Sequence, residues 1–310
     1  LSGAGKAKRF FDNRNIFDES TMMNTDRFQR FLFEEIGVRG ELVRLDASWQ
    51  AVLKRHPYPP AVRSQLGQAI AATVLLSATI KFVGSLILQI QGRGPLSTLV
   101  AQATHRRTIR GLAHWRGEVP IGPLSRVFGD GRLVLTIQRE GLDPYQGIVA
   151  LEGDQLASAL QRYFSQSEQL PTRLWLVADN ARAAGLLLQK LPRSEPVEED
   201  WGRLVLLADT ICEGELLRLP FEDLLYRLFH EETVRLYEPE PVTFRCGCSR
   251  QRIETMLLAL GRREVENILA EQKAVEVDCE FCNKHYRFDA VDVGMLFADD
   301  FRTPVSPTQH

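Results

Sequence analysis

Tyr58-Pro-Pro-Ala-Val-Arg-Ser-Gln-Leu66-Gly-Gln-Ala-Ile70-Ala-Ala-Thr-Val74-Leu-Leu-Ser-Ala-Thr-Ile80 is followed, after Lys81-Phe-Val, by Gly84-Ser-Leu-Ile-Leu-Gln-Ile-Gln91. In the first part Val62, Leu66, Ile70, Val74 and Leu75 recur at helical spacing on one face, which predicts a helix over 58–80. The second part reads as a strand. Upstream, Arg39-Gly-Glu-Leu-Val-Arg-Leu-Asp46 alternates like another strand. Downstream, Pro95 to Ala103 reads as a helix with proline in its first turn. Strands are predicted at 108–115, 132–138, 146–151 and 173–178, and a helix at 154–169. Strands and helices mixed in this order predict an α+β core domain over residues 27–190. Residues 1–26, rich in Gly, Ser, Asn and Asp, read as a flexible lead-in.

A chain of 310 residues exceeds what one compact core usually occupies, so further domains are expected. Pro192-Arg-Ser-Glu-Pro-Val-Glu-Glu-Asp200 marks a boundary by its prolines and acidic run. Residues 191–240 carry 13 Asp/Glu against 5 Lys/Arg, a net of −8. Residues 241–310 carry 11 against 9, a net of −2, which leaves +8 for residues 1–190 from the total of −2. Residues 191–245 are therefore read as an acidic helical linker, a small domain follows at 246–298, and 299–310 form a tail. Within the linker Trp201, Leu204, Val205, Ala208 and Ile211 share one helical face. Leu217, Phe221, Leu224, Leu225 and Leu228 share another, so two amphipathic helices are predicted over 201–237. No apolar run reaches the roughly 20 residues of a membrane helix. The longest, Ala69 to Ile80, is broken by Thr73, Ser77 and Thr79. The first twenty residues lack the apolar core of a secretory signal, so a cytoplasmic location is expected.

Cysteine usage is the informative part of the composition. None of the five falls in the first 211 residues; Cys212 stands alone, and the others form Cys246-Gly-Cys248 and Cys279-Glu-Phe-Cys282. Zn²⁺ takes four thiolate or imidazole ligands in a tetrahedron, and two close cysteine pairs brought together by folding supply them. Cys246, Cys248, Cys279 and Cys282 are accordingly the expected ligands of one Zn²⁺. Helices at 249–260 and 262–270 fill the gap, and Phe244-Arg245 and His285-Tyr-Arg-Phe288 read as strand edges beside the two pairs. His285 reads as a surface or strand histidine, because four sulfurs already close a structural site. Arg245, Arg250, Lys284 and Arg287 lie near the ligands in sequence, and positive neighbours favour thiolate, the form that oxidants attack. Cys212, beside Ile211, reads as a small buried hydrophobe.

Other motifs carry less. Gly92-Arg-Gly-Pro95 is read as a tight turn, since it lacks the lysine and further glycines of a phosphate loop. His105, Arg106, Arg107 and Arg110 read as a solvated basic face. No nucleophile elbow, Walker lysine or His-Glu-x-x-His occurs, so no catalytic residues are assigned and no enzyme is expected.

Taken together, Cys246-Gly-Cys248-Ser-Arg250, Cys279-Glu-Phe-Cys282, Arg39-Gly-Glu-Leu-Val-Arg-Leu45, Leu86-Ile-Leu-Gln-Ile-Gln-Gly92, Gly94-Pro-Leu96 and Arg110-Gly111 resemble the heat shock protein 33 family, the redox-regulated 33 kDa chaperonins. The likeness runs from about Thr25 to Phe297. Val83, Arg93 and Arg106 depart from the more acidic character expected there. The resemblance implies an ATP-independent holdase that is inactive when reduced and zinc-bound. Oxidation would pair Cys246 with Cys248 and Cys279 with Cys282 and release zinc. The small domain and linker would then unfold, a homodimer would form, and unfolding client proteins would be held for later transfer to ATP-driven foldases. Phe221 and Leu225 are the expected latch between linker and core domain. The physics agrees: zinc at such a site supplies about 10–16 kcal/mol of apparent binding energy, against a net stability of about 5–15 kcal/mol for a typical domain. The alternatives are a zinc ribbon that binds nucleic acid and a thiol oxidoreductase using Cys279 and Cys282. Near-neutrality of 241–310 opposes the first, and the second cysteine pair opposes the second. Neither nucleic acid nor membrane is an expected partner.

Overall fold

The computed structural model describes residues 8–9, 26–79, 83–192 and 198–298. Nearly all of the lead-in, most of the proline-rich boundary and the tail lie outside the described residues. The chain divides into two compact units, Leu1–Arg245 and Cys246–His310. The first begins with β1 (Lys8–Arg9), β2 (Arg27–Phe33), β3 (Val38–Leu45), α1 (Ala47–Leu53) and α2 (Pro60–Thr79). It continues through β4 (Gly84–Gly92), β5 (Leu96–Thr104), β6 (Thr108–Trp115), α3 (Leu124–Phe128), β7 (Gly131–Arg139), β8 (Tyr145–Ala150), α4 (Leu156–Gln166), β9 (Thr172–Ala178) and β10 (Ala183–Lys190). It closes with α5 (Glu198–Ala208), α6 (Glu213–Arg218), α7 (Phe221–Phe229), β11 (Val234–Leu236), β12 (Glu240–Pro241) and β13 (Thr243–Phe244).

Two sheets hold α2 between them. One runs β1-β11-β2-β3-β10-β9, with β12 also on β2; the other runs β13-β6-β5-β4-β7-β8. Mixed α+β architecture therefore stands as read from the sequence. The single apolar face expected on α2 is instead burial on nearly all sides, from Ala69 to Ser77 without a break. The reason is sterics as well as hydrophobicity, since small residues such as Ala69, Ala71 and Ala72 let both sheets close in. Glycines opposite the large side chains complete the fit: a Cβ on Gly111 or on Gly185 would lie 2.8 Å from Ile70 or Leu75 respectively.

The expected helix over Pro95–Ala103 is strand β5, paired with β4 and β6. Leu99, Ala101 and Ala103 alternate inward there, so Pro95 precedes a strand, a place where its missing N–H does no harm.

The linker is not a separate body. Its three helices, one more than expected because Leu219-Pro220 ends α6 and caps α7, cover the outer face of the seven-stranded sheet. Leu204, Ala208, Leu216, Leu217, Leu224 and Leu228 pack there against Phe31, Phe33, Val38, Leu42, Leu186 and Leu188. Phe244-Arg245, expected beside the cysteines, belongs to this unit: Thr243 N–H donates to Arg107 O (3.1 Å) and Arg245 N–H to Ile109 O (3.0 Å). Among the described residues no helix is long and apolar enough to cross a membrane.

The second unit holds α8 (Arg250–Leu260), α9 (Arg262–Gln272), β14 (Val275–Asp278), β15 (His285–Phe288) and α10 (Ala290–Leu296). β14 and β15 form an antiparallel hairpin. Its core is small: Leu257, Val265, Val275, Tyr286, Phe288, Val293 and Phe297.

Candidate metal centre

Local chain geometry places each cysteine pair. Cys279 follows β14 directly and opens the hairpin turn. Its N–H donates to Lys284 O (3.0 Å), and its carbonyl accepts from Cys282 N–H (3.1 Å) and Asn283 N–H (2.7 Å). Asn283 takes the left-handed conformation that such a turn requires. Cys246-Gly-Cys248 lies just ahead of α8, whose N-cap Ser249 accepts from Arg252 N–H at 3.2 Å. The two loops bring the sulfurs of Cys246, Cys248, Cys279 and Cys282 within 4.8 Å of one another. Cys246 Sγ lies 3.6 Å from Cys279 Sγ, and Cys248 Sγ lies 3.4 Å from Cys282 Sγ. Among the described residues this is the one cluster of His, Cys, Asp or Glu able to hold a metal ion.

The donor set suits Zn²⁺. Zinc–sulfur bonds of about 2.3 Å in a tetrahedron set sulfurs about 3.8 Å apart, close to the two short distances here. The thiols also differ in acidity. Burial raises Cys279 and pushes Cys282 up to about 12. Burial opposes ionisation of Cys248 too, but the Tyr286 hydroxyl, donating at 3.2 Å, and the adjoining thiols draw it down to about 7. Four thiols this close do not all ionise without a cation among them, and a divalent ion removes the conflict.

Arg250 and Lys284, two of the basic neighbours read from sequence, have other partners. Arg250 pairs with Asp292 (2.7 Å) and Glu254 (3.2 Å) and lies over the Phe288 ring. Lys284 sits over Tyr286, 5.1 Å from the ring centroid. His285 is exposed, with Nδ1 2.8 Å from Asp278.

Cys212 is exposed rather than buried. It is the N-cap of α6, in the turn after α5, and its N–H donates to Glu215 at 3.0 Å. Proximity to Ile211 misled because the helical face ends before the turn. Arg107, read as part of a solvated face, is also buried: it donates to Ser77 (3.2 Å) and Glu240 (3.0 Å) and stacks on Phe28.

Phe221 and Leu225, on α7, are both fully buried in the core shared with the sheet. Sequence reasoning missed Arg44, which lies on β3 under α6 and α7. Its guanidinium donates to the carbonyls of Leu216 (2.9 Å) and Leu219 and stacks 4.9 Å from the Phe221 ring centroid. The signal was an arginine at the strand spacing of Val38 and Leu42, on the face those two apolar residues define.

A family model described as Hsp33 protein matches residues 26–289. The 33 kDa chaperonin of Nitrosococcus oceani is 65% identical over 289 residues, covering 93% of this chain and 100% of that protein. The 33 kDa chaperonin of Methylobacillus flagellatus is 45% identical over 293 residues, again covering 93% and 100%. Among solved structures, the 33 kDa chaperonin (heat shock protein 33 homolog) of Thermotoga maritima shares the fold, with a TM-score of 0.78. At 24% identity it covers 89% of this chain and 99% of its own.

Proposed function

Because this chain belongs to the Hsp33 family and is by that kinship a chaperone, we propose that it is an ATP-independent cytoplasmic holdase, switched on by oxidation of its four clustered thiols. The cluster carries the reading: one centre of thiol chemistry, set in a unit whose core is too small to be stable without support. When reduced, Cys246, Cys248, Cys279 and Cys282 would hold one Zn²⁺, which cross-links the α8 end to the hairpin. The ion is structural, because four sulfurs leave no open position.

In the oxidation step Cys246 joins Cys248 and Cys279 joins Cys282. Each disulfide forms as two thiolates give two electrons to the oxidant; a peroxide takes them with two protons and leaves as two waters. A disulfide sulfur is no thiolate ligand, so the oxidised unit loses its cross-link and melts. The strand pairing that ends at Arg245 then loses its neighbour in sequence, and the linker helices can leave the sheet. Phe221 and Leu225 are the latch: their burial, at about 1.5–3 kcal/mol per side chain, keeps the helices down in the reduced state. Their departure uncovers Phe31, Phe33, Val38 and Leu42 for unfolding clients, while the −8 charge of residues 191–240 keeps the opened protein dispersed. The oxidised form is a homodimer and passes its clients to ATP-driven foldases.

Light scattering of a heat-denaturing client tests this. Oxidised protein without nucleotide is expected to suppress aggregation, and reduced protein is not. Equal behaviour of the two forms would remove the redox switch.

A further inference from the structure

Residues 234–245 act as a strap across both sheets. β11 lies on Phe31–Phe33 of β2, and β12 lies on Arg27–Phe28 of the same edge. Tyr237 N–H donates to Arg30 O (3.0 Å), and Val242 N–H donates to Asp26 O (3.0 Å). β13 then crosses to the other sheet and pairs with the start of β6. Between them Val242 is buried in the core around α2. Glu240 fastens the strap from outside, through Arg30 at 2.7 Å and Arg107 at 3.0 Å.

The strap covers that edge in short pieces rather than as one strand. β2 offers seven residues, whereas β11 has three and β12 two. Pro239 and Pro241 interrupt the segment, and a proline has no N–H to give. A continuous extended segment can pair along all seven residues of β2 without such breaks. An unpaired strand edge attracts such segments whatever their sequence. The edge is also continuous with the Phe31 and Phe33 side chains beneath the linker helices.

We propose that the outer edge of β2, once residues 234–245 leave it, binds an extended apolar segment of the client as an added strand. Backbone pairing then supplies grip without sequence preference, and the aromatic face receives every second side chain. This rests on the holdase reading above, but its test does not depend on the redox step.

The probe is a fluorescent nine-residue peptide of alternating Val and Thr, compared with a twin N-methylated at every second amide to block pairing along one edge. Full-length oxidised protein is expected to bind the unmodified peptide about tenfold more tightly or better. Binding should also protect the amides of Arg27–Phe33 from hydrogen exchange. Two reduced, zinc-loaded variants, Glu240→Lys and Val242→Asp, free the strap without oxidant, which fast exchange over 234–245 will report; they should show the same preference. Such a variant that binds both peptides alike, with β2 exchange unchanged, overturns the proposal. Protection of β2 in a dimer without peptide would assign the edge to a second copy and overturn the client assignment. If the variants discriminate but oxidised wild type keeps its strap, the redox reading fails and the edge stands.

Discussion

Glu41 lies on β3, and burial pushes its carboxyl up to about 7, against the pull of Arg39, Arg107 and Arg30 and with the push of Glu240. Unfolded, it would ionise near its ordinary 4.5. Between these values the folded chain holds a proton that the unfolded chain has lost, so stability falls as pH rises across the window and levels off above it. The whole effect is about 3 kcal/mol. Denaturant titrations from pH 5 to 8 are expected to show this slope in wild type and a flatter one in Glu41→Gln; identical slopes would refute it. At the cysteines, Cys279→Ser with Cys282→Ser is expected to abolish bound zinc, whereas Cys212→Ser should leave one zinc per chain. Metal analysis of the purified proteins decides. The four clustered cysteines were readable in advance because metal chemistry admits few residue types and each pair is local in sequence. Arg44 and Arg107 were not, because their partners lie 30 to 175 residues away, beyond any local pattern; Cys212 was misread because α5 ends just before it.

At the scale of elements, the linker is held by side chains of two kinds. Phe221 and Leu225 supply apolar burial, while Arg44 closes the end of α6 and Arg27 reaches Glu222 at 3.1 Å. Replacing Phe221 and Leu225 by Asn is expected to cost about 3–5 kcal/mol per site. It should also give client binding and protease sensitivity at 198–229 in fully reduced, zinc-bound protein. A variant as resistant and inactive as wild type would dismiss the latch. Arg44→Met keeps the bulk and removes the donors, so a weaker effect in the same direction is expected in the same assay. Elements with an unambiguous period, such as α2, β4 and β6, were legible along the chain. β5 was not: a short apolar run beginning at a proline suits either helix or strand, and only pairing between β4 and β6 decides. β11 and β12 escaped notice for a related reason, since two or three residues show no period at all.

For the whole molecule the test is order. Under mild peroxide with heat, zinc loss should come first, proteolysis between Pro192 and Phe244 second, and suppression of client aggregation with it. Reductant should reverse all three when no client is bound. Complete zinc loss with an intact linker and no holding activity would leave the cysteines as a metal site alone. The strap has another consequence, which concerns biosynthesis. β2 is finished at Phe33, but the strand that covers its edge starts about 200 residues later, which at about 5–20 residues per second is a wait on the order of 10–40 s on the ribosome. Through that interval each nascent copy displays an unpaired edge and bare phenylalanines, as its future clients do. A chaperone thus begins life needing the care it is proposed to give, and crowded polysomes translating it are where mispairing between copies should first be sought.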